Sequence, residues 1–394
     1  MTQLRTGLAS RTRVLDDADV DPLADLGPGG FAWFAEGLAL ATSGVAARIG
    51  GAGADDVLAD IAGDDPLGLP GTGPLAVGAL GFDGRGELIV PARIVGHTAD
   101  GLAWVTEVGP SDGSAEGWPA TRLAPPADAN RGGWAAAVEE ALRRIAADRL
   151  SKVVLAREVI VDLDRAIDVA TVVDRLRRGQ PSCFTYAAGP HVGASPELLA
   201  SRRGGSIVSR PMAGTVSQGV SPGEDGRLVA AMAASAKEQG EHRLVVDDVR
   251  AKLRPVCEGP CSADGPDVVR LSTVAHLATT VHGALRYPSR SAVALAALLH
   301  PTPAVGGVPQ AAALAAIAEL EGFDRGVYAG PVGWMDARGD GDWAVALRGA
   351  TLDAGHRRAR LVAGAGIVAG SEPDAEWAET EAKLAAMRSA LGAT

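Results

Sequence analysis

The sequence predicts a mixed α/β protein in which helices and strands share one large core. Three observations predict it. Trp134, Val138, Leu142 and Ile145 recur at helical spacing and mark one apolar helix face. The run that follows, Ser151 to Val161, is dense in Val, Leu and Ile and reads as a strand buried on both faces. Two further apolar segments, near 328–336 and 342–352, flank Gly339 to Gly341, as a hairpin requires.

In chain order, residues 1–125 are rich in Gly, Pro and Asp. Their short apolar runs, Leu75 to Leu80 and Leu88 to Val95, read as strands joined by turns. Ala124-Pro125-Pro126-Ala127-Asp128 through Gly132-Gly133 is the linker candidate, because Pro and Gly interrupt regular structure. It divides an N-terminal part, 1–125, from a larger part, 126–394. Past the first helix and strand, a helix near 168–178 leads to a strand near 182–188. One long helix is expected over 227–253. Helices near 289–299 and 309–321 enclose the turn-rich His300-Pro301-Thr302-Pro303-Ala304-Val305-Gly306-Gly307. After the hairpin, a strand near 358–363 ends at Gly364-Ala365-Gly366. The last helix begins near Ser371, an N-cap residue with Asp374 three positions on. It turns Trp377, Leu384, Met387 and Leu391 inward.

The chain has 394 residues, 47% of them apolar, and length alone allows about two to three domains. A net charge of −11 argues against nucleic acid or an anionic membrane as the main partner. It leaves room for a local basic pocket that takes a small anion. Three cysteines, Cys183, Cys257 and Cys261, do not suit a disulfide framework and fit a reducing compartment. Met1 to Gly30 lacks the apolar core of a signal peptide, and no apolar run reaches the ~20 residues of a membrane span. A cytoplasmic protein is expected.

Two glutamate pairs carry the strongest chemical signal. Glu238 and Glu241, and Glu376 and Glu379, lie three residues apart on segments that read as helices, so each pair shares a face. Lys383 follows on the second face. Gathered carboxylates repel unless a cation sits among them, and oxygen-only ligands suit a hard ion such as Mg²⁺. Two solvated helix faces would show the same pattern.

Other candidates are single residues with two readings each. Lys152 sits inside an apolar strand. Burial would disfavour its charged form and make it a general base, or it is an edge-strand lysine that discourages aggregation. Glu197, in Ser195-Pro196-Glu197-Leu198-Leu199, is either a carboxyl poised to donate a proton or an ordinary turn residue. Gly214-Thr215 offers close backbone approach and a hydroxyl donor. Gly364 and Gly366 offer an anion-binding nest of N–H groups, or a plain turn. Arg348, among small and apolar neighbours, needs an anionic partner from the protein or from a ligand. His276 could orient a ligand or be a satisfied core histidine.

Taken in order, these pieces form a set. Ser151 to Glu158, Ser195-Pro196-Glu197, Lys237-Glu238-Gln239-Gly240-Glu241-His242, His300 to Ala304, Phe323 to Gly330, Gly364 to Ile367 and Glu376-Trp377-Ala378-Glu379-Thr380 resemble the chorismate-binding enzymes. The resemblance is strong over about residues 130–392 and weak over the first 125. It implies an α/β (α+β) fold of two packed antiparallel-rich sheets, with helices outside and a central cleft. The 1–125 and 126–394 parts would then be halves of one folded unit.

Within the family the chain most resembles the isochorismate synthase branch, so the resemblance implies an isomerase. Lys152 would deprotonate the water that attacks C2 of chorismate, and Glu197 would protonate the departing C4 hydroxyl. Glu241 and Glu379 would bind Mg²⁺, with Glu238 and Glu376 completing its shell. Gly214, Thr215, His276, Arg348, Gly364, Gly366 and Lys383 would hold substrate, and Ala304 and Tyr328 would line the pocket. A lysine at position 152 implies the water-using branch, hence no glutamine amidotransferase subunit, and a monomer is expected. The resemblance leaves two alternatives. Salicylate synthases, which go on to eliminate pyruvate, tend to carry threonine where Ala304 stands, although Tyr328 is shared with lyases. A catalytically silent chorismate-binding protein would need no matched acid and base. Menaquinone and siderophore pathways both remain open.

Overall fold

A computed structural model describes residues 7–16, 20–109, 118, 121, 123, 131–219 and 221–393. Positions 124–130 of the linker candidate lie outside the described residues. The described strands hydrogen-bond into one continuous sheet. Its pairings are antiparallel apart from Ala9–Leu15 with Ala62–Asp64.

The sheet has two wings that part at Glu87–Thr98. One wing runs through Leu38–Gly50, Phe31–Ala35, Phe184–Ala188, His191–Ser195, Gly349–Leu352 and Arg358–Ile367 to Lys152–Asp162. The other runs through Leu75–Ala79, Pro331–Asp336, Gly341–Val345, Leu198–Arg203 and Ser206–Arg210 to Val274–Ala284. The two packed sheets expected from sequence are thus wings of a single open sheet. They share one apolar cluster in which Trp33, Trp104, Trp334 and Trp343 are fully buried. Each such ring removes roughly 150–250 Å² from water, on the order of 4–6 kcal/mol at ~25 cal/mol/Å².

Local patterning accounts for the elements that position the cleft. The helix Arg131–Ala146 buries Trp134, Val138 and Ala141 in a cluster with Val153, Leu155 and Ile367. The strand Lys152–Asp162 is buried over its first seven residues, which explains its unbroken apolar run.

Four expectations need correction. The helix expected over 227–253 is two helices, Pro222–Ala234 and Ala236–Leu253, parted at Ser235. The Ser235 hydroxyl accepts from the Glu238 N–H at 3.3 Å and starts the second helix as its N-cap. The second hairpin strand stops at Val345 and the chain resumes a strand only at Gly349. Arg348 therefore lies between strands rather than within one. Gly364 and Gly366 are inside the strand Arg358–Ile367, not beyond its end. The last helix is Pro373–Leu391, with Glu372 at the cap position. Proline takes the first helical position, where its missing N–H costs nothing, and the Ser371 hydroxyl accepts from Val368 N–H instead. Among the described residues no helix is long and apolar enough to cross a membrane.

Candidate active site

The helix Ala236–Leu253 packs on the strand Met212–Ser217, and Pro373–Leu391 packs on Arg358–Ile367. Between them opens a cleft of about 710 Å³ of empty space, part of it continuous with solvent. Glu197, Gly214, Thr215, Glu241, His276, Ala304, Tyr328, Arg348, Gly364, Gly366, Glu379 and Lys383 all line it. Lys152, Glu238 and Glu376 do not. Residues far apart in the chain, such as Glu197 and Lys383, thus meet in one cavity.

Glu197 sits in the short link between His191–Ser195 and Leu198–Arg203. Its backbone is fixed from both sides: the Ser195 hydroxyl accepts its N–H and its carbonyl accepts from Val345 N–H. The side chain is 3% exposed, and Oε1 has no protein partner. Burial pushes the carboxyl up to about 8, against the opposing pull of Lys152, a Met212 backbone hydrogen bond and Lys383. The group therefore holds a proton at neutral pH.

Lys152 stands just behind this wall, 1% exposed. Its Nζ donates to Glu241 Oε1 at 2.7 Å. A Cβ on Gly366 would lie 2.6 Å from that same Oε1 and 3.1 Å from Lys152 Cε, so the bare glycine is what lets the pair reach the cleft edge. Lys152 and Glu197 are close enough to influence one another electrostatically.

The four glutamates lie within electrostatic reach of one another, Glu241 and Glu379 on the cleft and Glu238 and Glu376 beside them. Burial, and next the Glu241 charge, raise the Glu238 carboxyl. Burial, then Glu379, push Glu376 up to about 7. The mutual repulsion expected of a clustered acidic set is present. Even so, no three His, Cys, Asp or Glu groups among the described residues stand close enough together to grip a metal ion. Each inner carboxylate instead leans on a lysine, Glu241 on Lys152 and Glu379 on Lys383. Glu238 accepts from Thr215 N–H at 3.1 Å.

Two cations also line the cleft. Arg348 is half-buried and donates to His276 Nε2 at 2.7 Å. Lys383 Nζ donates to Gly364 O at 2.9 Å. Burial pushes the Tyr328 phenol up to about 12, so it stays protonated. A Cβ on Gly364 would meet Leu155 O at 2.8 Å and Tyr328 Oη at 3.0 Å. This strand glycine therefore serves close packing rather than a turn or an anion nest.

Glu321 and Arg325 are not among the fifteen candidate site residues, although Arg325 lies in the Phe323 to Gly330 segment. They form an ion pair in which each side chain is 2% exposed. Arg325 also donates to Val305 O and Val154 O, both at 2.8 Å, while Glu321 accepts from Ala156 N–H. One guanidinium thus ties together two segments of the cleft wall. Arg325 lies beyond the helix Gln310–Leu320, so helical spacing could not have signalled the pair.

Residues 111–392 match the family model described as chorismate binding enzyme. A Mycobacterium tuberculosis protein with the provisional name isochorismate synthase MenF is 42% identical over 344 residues, covering 82% of this chain and 87% of the relative. Isochorismate synthase DhbC of Bacillus subtilis is 42% identical over 65% of this chain and 66% of its own. The solved structure of MenF, the menaquinone-specific isochorismate synthase of Escherichia coli, is similar with a TM-score of 0.82 at 26% identity, covering 98% of this chain and 95% of that one. With the family model and these relatives spanning most of its length, the chain belongs to the chorismate-binding enzyme family, on its isochorismate synthase branch.

Proposed function

We propose that this chain is a Mg²⁺-dependent isomerase that converts chorismate to isochorismate. The observation that carries this reading is a proton-holding carboxyl, Glu197, lining a cleft, with a buried lysine behind the wall and within its electrostatic reach. Glu197 donates its proton to the C4 hydroxyl, the C4–O bond breaks and water departs. The ring double bonds shift, and the oxygen of an entering water bonds to C2. Lys152, as the neutral amine, takes that water's proton. One water enters and one leaves, so no oxidant or second substrate is needed.

Arg348 and Lys383 offer positive charge to the substrate's two carboxylates, and Gly214 and Thr215 border the same space. The oxygen-only donors fit a hard divalent cation, since Glu238 and Glu376 are raised first by burial and next by neighbouring carboxylate charge. Glu241 and Glu379 would hold it, with Glu238 and Glu376 beside them. Bound there, Mg²⁺ would neutralise and orient the ring carboxylate. The Glu241 carboxylate is also the partner of Lys152, so the lysine and the cation draw on the same oxygens.

Ala304 leaves the pocket without a side-chain hydroxyl at that point, which favours release of isochorismate over pyruvate elimination. We further infer one folded unit from 1–125 and 126–394, supported by pairing of Phe31–Ala35 with Phe184–Ala188 and of Leu75–Ala79 with Pro331–Asp336. A cytoplasmic monomer without an amidotransferase subunit completes the reading. Chromatography of products from chorismate, with and without Mg²⁺, tests it. Isochorismate formed only with Mg²⁺ supports it. Salicylate with pyruvate would favour the synthase–lyase alternative, and unchanged chorismate would leave a silent binder.

A further inference from the structure

We propose that His276 is a positioning residue, held as the Nδ1–H tautomer, whose task is to accept from Arg348 and aim that guanidinium at a substrate carboxylate. The proposal rests on the function proposed above for the carboxylate's identity, but not for the tautomer.

Two contacts fix the proton independently. A guanidinium can only donate, and Arg348 stands 2.7 Å from His276 Nε2. That nitrogen must therefore present its lone pair. A carbonyl can only accept, and Gly214 O lies 3.2 Å from Nδ1, so the hydrogen is on Nδ1. The Thr215 hydroxyl is also 3.2 Å from Nδ1. A ring with hydrogens on both nitrogens would point one at the guanidinium, so the imidazole is neutral. Burial, reinforced by the Arg348 and Lys383 charges, acts in the same direction, holding His276 well below its usual range.

Arg348 needs such a partner. Its backbone is left-handed, at φ 51°, a conformation that costs a non-glycine residue free energy unless its surroundings enforce it. Among the described residues no carboxylate lies within ion-pair distance of the guanidinium; Glu379 acts on it only through its more distant charge. His276 is held in turn by its strand, Val274–Ala284, which pairs with Met212–Ser217 across Thr215 and His276. The line Gly214 carbonyl, His276, Arg348 therefore transmits the rigidity of the sheet to a residue on a strained connection. A histidine with both nitrogens engaged in this way has no hydrogen to offer a ligand, so it cannot itself donate to a substrate carboxylate.

The test begins with the ligand-free protein. Histidine ring ¹⁵N resonances, assigned to His276 by their loss in H276Q, are expected to show a protonated Nδ1 and a bare Nε2 between pH 6 and 9. A protonated Nε2 would overturn the proposal. Kinetics with chorismate and Mg²⁺ supply the second arm. H276L removes the acceptor, and KM is expected to rise by about ten- to a hundredfold, the effect of losing a hydrogen bond to a charged group, with a smaller change in kcat. H276Q, whose amide oxygen can still accept from Arg348, is expected to recover most of that loss. Equal impairment of both variants, or an unchanged KM in H276L, would refute the positioning role. If the wild-type protein does not turn over chorismate, the function proposed above fails while the tautomer result still stands or falls by its own spectrum.

Discussion

Glu197→Gln separates an acid from a merely buried carboxyl. The side chain is 3% exposed, and its carboxyl is pushed from an ordinary 4.5 to about 8, chiefly by burial. Holding it ionised in the fold therefore costs on the order of 5 kcal/mol relative to the unfolded chain. The folded state binds the extra proton, so the stabilising contribution is complete below pH 4.5 and is lost as pH rises to about 8. Glutamine is the same shape and carries no charge. The variant should match wild type in stability near pH 4.5 and exceed it by up to about 5 kcal/mol above pH 8. Urea denaturation across pH 5–9 reads this difference. The same substitution removes the transferable proton, so kcat should fall by about 10²–10⁴-fold, and wild-type kcat/KM should decline as pH passes about 8. Parallel stability–pH curves for the two proteins would refute the raised carboxyl. Wild-type turnover in the variant would refute its role as acid.

Three further outcomes follow from the cleft. Lys152→Met breaks a buried pair with Glu241 and should cost about 3–5 kcal/mol of stability as well as turnover; full activity in a folded variant would remove the base. Gly364→Ala places a methyl group 2.8 Å from Leu155 O, which forces the two paired strands apart. A loss of about 1–3 kcal/mol in denaturation and a raised KM are expected, and unchanged values would show that the strands have room. Arg325→Met strands the Glu321 carboxylate, whose side chain is 2% exposed, and should destabilise by about 3–5 kcal/mol. The double variant with Glu321→Gln should recover part of this, and strict additivity would show that the pair is not coupled.

Much of this architecture is legible in the chain because local pattern and burial agree. The Trp134 stripe buries Trp134 and Val138 and packs Leu142 and Ile145 half-buried on the same cluster, and the Lys152–Asp162 run is buried over its first seven residues. Legibility fails where a side chain or its absence answers to a distant neighbour. Ser235 splits a helix by bonding the Glu238 N–H, an alternative that serine offers the backbone anywhere. Gly364 and Gly366 read as a turn, yet they are strand residues whose missing Cβ makes room for Tyr328, Leu155 and Glu241. Arg348 reads as a strand residue, yet it is left-handed, in contact with a histidine 72 positions away in sequence. Of the fifteen candidate site residues, Lys152, Glu197, Arg348 and the glutamate pairs stood out because their residue types are chemically costly to bury, whereas Ala304 and Tyr328 came only from the resemblance. The Glu241–Lys152 contact was not foreseen, because spacing cannot show which of several carboxylates a lysine will meet.

In the proposed reaction water forms the new C2–O bond while the C4 oxygen leaves. Incubation of the protein with chorismate and Mg²⁺ in H₂¹⁸O, followed by mass spectrometry of the product, tests it most directly. Isochorismate carrying ¹⁸O at C2 is expected. Isochorismate that retains only the original oxygen would mean that the hydroxyl migrates within the substrate, and would contradict the assignment of Lys152 and Glu197 as base and acid.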